Sequence, residues 1–366
     1  MNLKKKFFIL ISLFLVFFFY GIGVGLYKWF PFFALQAIKQ KIDINENHVI
    51  EKISSLDTSI VREHTSLFNS KSLLLKRQKL LKLVTKEINS SNILTEPINK
   101  NSKKIMSNIY GINTNAILTF SPNSNNCLRI YIQGHGGNPF HYSYHNKLMA
   151  KFLEDGCDVL SMSMTGLGLN KGQASYPSKF GKVMLNKEMA KEHGNYSFFF
   201  DEDSPELDPL SLFITPHYNI INFILKKDYQ NISLMGISGG GWYTVWLSAL
   251  LPKIDLSISY AGSLPMEYRK FNKNRGDWEQ QYSQVYNFVS YWELYKLMTL
   301  DSDGNSTRRA INVYNDEDDV AFSNPYAKHF KLEADRLNWK NFEVIINNSK
   351  KHLMDVNLIK NIFTNK

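Results

Sequence analysis

Gly236-Ile237-Ser238-Gly239-Gly240-Gly241 follows the apolar run Ser233-Leu234-Met235 and precedes a helix-like stretch opening near Trp242. A tight turn from strand to helix holds its apex residue in a conformation few side chains tolerate and crowds the positions beside it. A serine there is therefore flanked by glycines. The turn lifts Oγ above the sheet and leaves the next N–H unpaired at a helix N-terminus, where it can stabilise a developing oxyanion. Ser238 is thus the candidate nucleophile and Gly239 one candidate oxyanion donor. A phosphate-cradling loop would require a following Walker lysine or the Rossmann glycine spacing, and neither is present.

A nucleophilic serine needs a second oxyanion donor, a base and an acid. Gln133-Gly134-His135-Gly136-Gly137-Asn138-Pro139 follows the strand-like Ile130-Tyr131-Ile132, and its glycines allow close approach of backbone N–H groups. Gly136 or Gly137 would supply the donor. His135 lies on the wrong strand for the base and reads as structural. The acid is expected after a late strand, where Ile311-Asn312-Val313-Tyr314 runs into Asn315-Asp316-Glu317-Asp318-Asp319-Val320-Ala321-Phe322. Asp318 is chosen because a small apolar pair follows one residue on; Asp319 and Asp316 are reserves. After the last strand, Val344-Ile345-Ile346, the chain reaches His352, the only histidine beyond His329. The order Ser238, Asp318, His352 suits a triad in which the imidazole takes the Oγ proton and the carboxylate fixes its tautomer.

The elements that must position these residues alternate. Strands are predicted over 116–120, 128–132, 159–164, 232–237, 256–260, 310–314 and 342–346. Helices are predicted over 144–154, 210–225, 239–251, 324–337 and 354–363. Such alternation predicts an α/β fold, a mostly parallel central sheet with helices on both faces. Inserts near 166–209 and 262–308 interrupt it. The second carries Trp278, Tyr282, Tyr286, Phe288, Tyr291, Trp292 and Tyr295, which suit either a lid or a plain helix core.

The 366 residues, 44% apolar and 21% charged, suit one large domain with additional segments. The formal charge of +10 attracts polyanions, yet no nucleic-acid module is present; a solvated lysine-rich face or an anionic membrane surface accounts for it. No CxxC or HExxH spacing encodes a metal site. Cys127 and Cys157 each open a strand-like run; an exported domain could bridge them, but two buried free thiols are the reading adopted.

Lys4-Lys5-Lys6 precede an uncharged run of about 19 residues, Phe7 to Gly25, followed by Tyr27, Lys28 and Trp29. This predicts an uncleaved transmembrane anchor over 1–30 in preference to a signal peptide cut near Gly23-Val24-Gly25. The lysines favour a cytoplasmic N-terminus and an exported catalytic domain, a bias that Lys28, Lys39 and Lys41 dilute. Residues 31–105 contain no glycine and read as a helical, membrane-proximal segment. Within it, Ser72 to Ile88 forms a basic amphipathic pattern, a stalk or membrane contact on one reading and a helix packed on the catalytic domain on the other. The catalytic domain is expected over 106–366.

From about residue 105 onward the chain resembles the α/β-hydrolase superfamily, and its esterase and dienelactone-hydrolase-like branches most. The resemblance rests on Gly134-His135-Gly136-Gly137, on Gly236-Ile237-Ser238-Gly239-Gly240, on the acidic loop at Asp318 and on His352. Asp208-Pro209-Leu210-Ser211-Leu212-Phe213 and Gly276-Asp277-Trp278-Glu279-Gln280 are also similar to segments of some bacterial acyl-esterase-like members. It implies an eight-stranded type of sheet, no metal and no organic cofactor. The expected activity is hydrolysis of acyl or acetyl esters on lipids, glycans or small molecules by a membrane-tethered, exported enzyme. A peptidase or acyltransferase of the same fold, or a non-catalytic scaffold, are the alternatives.

Overall fold

The computed structural model describes residues 15, 17–20, 68–84, 93–109, 112–170, 174–178, 181–185, 209–269 and 276–364. The chain divides into compact units at 1–59 and 60–366. Of the first, only Leu15 and residues 17–20 are described, as helix with exposed side chains. The expected anchor therefore lies almost wholly outside the described residues, among which no helix is long and apolar enough to cross a membrane.

The second unit is built on a sheet of nine strands. In chain order these are β1 (Ile93–Asn99), β2 (Ser102–Ile109), β3 (Ile112–Thr119), β4 (Cys127–Gln133), β5 (Cys157–Ser163), β8 (Asn231–Ile237), β9 (Leu256–Tyr260), β10 (Arg309–Asn315) and β11 (Phe342–Asn347). Their spatial order is β1-β2-β3-β5-β4-β8-β9-β10-β11. The pairs from β1 to β5 are antiparallel and all those from β5 to β11 parallel. β4 and β5 are buried along their whole length and β8 along nearly all of it, as strands covered on both faces must be. β6 (Ala174–Ser178) and β7 (Gly181–Leu185) form a separate hairpin in the first insert.

Helices α1 (Ser70–Val84), α2 (Ser143–Glu154), α3 (Pro209–Ile224) and α4 (Gly239–Leu250) are followed by the short α5 (Met266–Arg269) and α6 (Ser283–Tyr286) of the second insert. Then come α7 (Tyr291–Thr299), α8 (Tyr326–Leu337) and α9 (Val356–Thr364). On one face α2 and α9 bury Leu148, Phe152, Ile359 and Ile362 against Tyr131, Met235, Ile237, Ile258 and Val313 of the sheet. α4, buried at every position, packs on β4, β8 and β9, and α1, α3 and α7 pack on it.

Residues 93–109 are a hairpin on the sheet, where a helical segment reaching 105 was expected. Pro97 cannot donate within a helix, and at the exposed edge strand β1 its missing N–H costs little. The sheet accordingly has nine strands, one more than the resemblance implied. Tyr282, Tyr291, Trp292 and Tyr295 of the second insert are buried, and Tyr286 Oη accepts from both Trp242 Nε1 (2.9 Å) and Trp246 Nε1 (3.0 Å) of α4.

The cysteines depart from expectation as well. Cys127 and Cys157 stand opposite each other at the first positions of β4 and β5 and are joined by a disulfide. Their partnership follows from the parallel register of two strands 30 residues apart, which no local pattern records.

α1 packs on the domain, burying Leu73, Arg77, Leu80 and Val84. Arg77 donates from Nε to Ala249 O (2.8 Å), from Nη1 to Asp301 O (2.8 Å) and from Nη2 to Leu297 O (2.9 Å) and Leu300 O (2.7 Å). Arg308 reaches the same place, donating to Ile254 O, Leu300 O and Ser248 O. The last turns of α4 and α7 carry the negative ends of their helices, so two cations are well placed there. Burial lowers Arg77 to about 10, against the pull of Asp301, so it stays charged at neutral pH. Arg77→Met should therefore cost about 2–3 kcal/mol by removing the donor to Ala249 O and Asp301 O, read as a lower thermal midpoint. Lys79→Met on the exposed face should leave the midpoint unmoved. Equal midpoints for the two variants would mean that α1 is not docked through Arg77.

Candidate active site

Ser238 sits between β8 and α4 with φ 57° and ψ −129°. A residue with a Cβ rarely adopts this left-handed region, and the cost is tolerated where surrounding structure fixes it. The fixing is backbone: Ser238 N–H donates to Tyr260 O (2.8 Å), and Ser238 O accepts from Trp242 N–H (3.1 Å). A side chain at Gly236 would overlap the Gly240 carbonyl, and one at Gly240 the Ile132 carbonyl. Glycine at both positions lets β4, β8 and the first turn of α4 close on one another. No side chain caps α4, so the N–H of Gly239 is left at a positive helix end beside the hydroxyl.

His352 and Asp318 are brought together from elements after β11 and β10. His352 Nδ1 lies 2.9 Å from Asp318 Oδ2 and 3.0 Å from Oδ1. The Asp318 side chain is fully buried, and Oδ1 also accepts from the N–H groups of Val320 and Ala321, both at 2.9 Å. These donors hold Asp318 in place, and an acceptor oxygen facing Nδ1 suits the tautomer with the proton on that nitrogen. His352 Nε2 is buried and has no hydrogen-bond partner. The reserves are engaged elsewhere: Asp316 pairs with Lys328 (3.1 Å), and Asp319 Oδ1 accepts from the backbone N–H of His352 (3.2 Å).

Ser238 and His352 line one cavity of about 580 Å³, together with Gly136, Ile237, Ala261 and Phe322. No hydrogen bond joins the Ser238 hydroxyl to His352 Nε2. Of the two loop glycines, Gly136 lines the cavity, whereas the N–H of Gly137 donates to Gly134 O (3.0 Å) in a tight turn. That bond removes Gly137 from the candidate oxyanion donors and leaves Gly136.

Of the rest of the wall, Gln133, Asp277, Gln280 and Phe322 fall in segments the sequence singled out, whereas Tyr142, Tyr144 and Ala261 do not. Ala261 and Phe322 have φ of 45° and 57°, so with Ser238 three non-glycine residues at positive φ border one cavity. Gln133, Tyr142, Tyr144, Asp277 and Gln280 make another side polar. Gln133 Oε1 accepts from the hydroxyls of Tyr131 and Tyr144. His135 Nε2 lies 3.0 Å from Asp277 Oδ2, and with buried Glu279 these residues offer three ligand atoms within 4.8 Å of one another. Among the described residues this is the one group with the donor types to hold a divalent ion. Burial pulls His135 down, but its hydrogen bond to Asp277 and the charges of Asp277 and Glu279 outweigh burial, and the net shift is upward.

No family model and no curated protein sequence matches the chain. Among solved structures it is similar to acetyl xylan esterase 1 from Thermoanaerobacterium sp. JW/SL YS485, with a TM-score of 0.53, 13% identity, and 80% of this chain and 92% of that one covered. It is similar to Methylesterase BT1017 with a TM-score of 0.53 at 14% identity, covering 81% of this chain and 63% of that one. Est1E from Butyrivibrio proteoclasticus, in a structure with ferulic acid bound, gives 0.47 at 16% identity over 71% and 96%. Taken with the strand order and the turn at Ser238, the two likenesses at a TM-score of 0.53 identify the chain as having the α/β-hydrolase fold.

Proposed function

We propose that the protein is a serine hydrolase that cleaves carboxylic esters, acyl or acetyl, through an acyl-enzyme. The observation that carries this reading is the His352–Asp318 pair, whose Nε2 has no hydrogen-bond partner and whose imidazole lines the same cavity as Ser238 at its strained turn. With the proton on Nδ1 held by Asp318, Nε2 is a base. It takes the Ser238 proton as Oγ attacks the ester carbonyl, and the carbonyl oxygen becomes an oxyanion that accepts from the N–H groups of Gly239 and Gly136. Collapse breaks the bond to the alcohol oxygen, which leaves with the proton from His352. Water then adds to the acyl-enzyme with the same base, releasing the acid and restoring Ser238. The residues that do this work need no metal.

A fluorophosphonate probe should label the full-length protein, and Ser238→Ala should abolish labelling; an unlabelled wild type would support the non-catalytic scaffold instead. Turnover of p-nitrophenyl acetate without turnover of a peptide amide panel is expected, and the reverse would favour a peptidase. Asp318→Asn should lower kcat on the order of 10³–10⁴-fold, while Asp316→Asn and Asp319→Asn stay within a few-fold. Full activity in Asp318→Asn would reassign the acid.

The catalytic domain is also proposed to be exported and tethered by the apolar run over 7–25. Supporting this are the flanking lysines and the Cys127–Cys157 disulfide, a bond that persists in oxidising compartments. Alkylation of protein taken from cells without reductant should add no mass to either cysteine. Quantitative alkylation of both would oppose export.

A further inference from the structure

The parallel strands have a second end, away from Ser238. β4 runs from Cys127 to Gln133 and β8 from Asn231 to Ile237. Gln133 and Ile237 line the cavity at the serine, whereas Cys127, Arg129 and Asn231 line another, of about 260 Å³. α2 and α9 wall this second cavity with Lys151, Phe152, Lys360 and Phe363.

Arg129 marks the cavity as a place for a ligand. It is only 7% exposed, and it forms no ion pair among the described residues. Its side-chain hydrogen bonds all come from Nη1, to Asn231 Oδ1 (2.8 Å) and Asn231 O (3.4 Å). Nε is buried without an acceptor, and Nη2 donates to none of the described residues. Cζ stands 4.6 Å from the centre of the Phe363 ring and 5.9 Å from that of Phe152, so rings of α9 and α2 hold the guanidinium in place. Burial lowers Arg129 to about 10, against the pull of Asp155 and Asp255, so it is charged at neutral pH. A buried cation without a counterion and with donors unused is costly unless something supplies both an opposite charge and acceptors.

The other charges on the wall have the same sign in excess. Lys151 is paired with Asp155 (2.5 Å), and Lys360, half-buried on α9, forms no ion pair among the described residues. Arg129 and Lys360 are therefore left without a carboxylate partner on the wall of one cavity.

We propose that this cavity binds a phosphate group, free or at the end of a larger molecule, with Arg129 as the central donor and Lys360 and Lys151 beside it. A phosphate group carries nearly two negative charges and several acceptor oxygens, which match the two unbalanced cations and the unused guanidinium donors. A carboxylate would offset only one of the two. The Cys127–Cys157 disulfide ties together the ends of β4 and β5 on the same wall, which keeps the site formed before a ligand arrives. Nothing in this assignment depends on the hydrolase reading, because none of these residues lines the cavity at Ser238.

The test is calorimetric titration and thermal melting of the full-length protein in inorganic phosphate, glycerol 3-phosphate, acetate and chloride at matched ionic strength. Phosphate should bind, and it should raise the melting midpoint further than acetate or chloride, as a ligand of the folded state does. Lys360→Gln should weaken phosphate binding on the order of 3–10-fold. Arg129→Met should abolish binding while fluorophosphonate still labels Ser238. Should the methionine variant not fold, Arg129→Lys, which keeps the charge but loses the planar fork, should weaken binding on the order of 10-fold. Tighter binding of glycerol 3-phosphate than of inorganic phosphate would assign the site to the end of a larger molecule, and the reverse to the free ion. Equal midpoints in phosphate, acetate and chloride overturn the proposal. So does acetate binding as tightly as phosphate, or phosphate binding that Lys360→Gln and the Arg129 variants leave unchanged.

Discussion

At the turn after β8 the backbone leaves no room. The Ile132 carbonyl stands where a side chain on Gly240 would go, and the Gly240 carbonyl stands where one on Gly236 would go. This interlock of strand, loop and helix holds Ser238 at φ 57° and makes the hydroxyl, the end of α4 and the loop after β4 one rigid piece. Everything else in the proposed site is brought to that piece. β10 and β11 deliver the acid loop and His352, and the second insert delivers Asp277. Behind it, α4 is buried on all sides and pinned at its far end by Arg77 and Arg308.

Rigidity on this scale suits an enzyme that stabilises charge with fixed dipoles. Donors that need not reorganise when an oxyanion forms are worth more than flexible ones. The uncapped N-terminus of α4 is such a donor set. The base side is built alike: Asp318, held by two backbone N–H groups, presents His352 in a single tautomer.

Much of this was legible in the sequence because it is local. The glycines around Ser238, the apolar runs of the strands and the position of His352 past the last of them are short-range patterns, and they placed the parallel core to within a few residues. Asp318 was separable from Asp316 and Asp319 only by a weak local preference; burial and backbone donors distinguish them in three dimensions. The hidden features are those made by distant segments meeting. The disulfide depends on the register of β4 with β5, and the loss of Gly137 as a donor depends on a turn closing onto Gly134. β1 and β2 were misread because a polar, glycine-free stretch resembles a surface helix until an edge of the sheet claims it.

The central claim is that Ser238 is the atom-bearing centre on which the base and both oxyanion donors converge. A crystal structure of the covalent phosphonate adduct tests it most directly. The account predicts phosphorus bonded to Ser238 Oγ, with a non-bridging oxygen within hydrogen-bonding distance of the Gly239 and Gly136 N–H groups and His352 Nε2 beside Oγ. An adduct whose oxygen points away from both glycines, with no hydrogen bond between His352 Nε2 and Oγ, would contradict it.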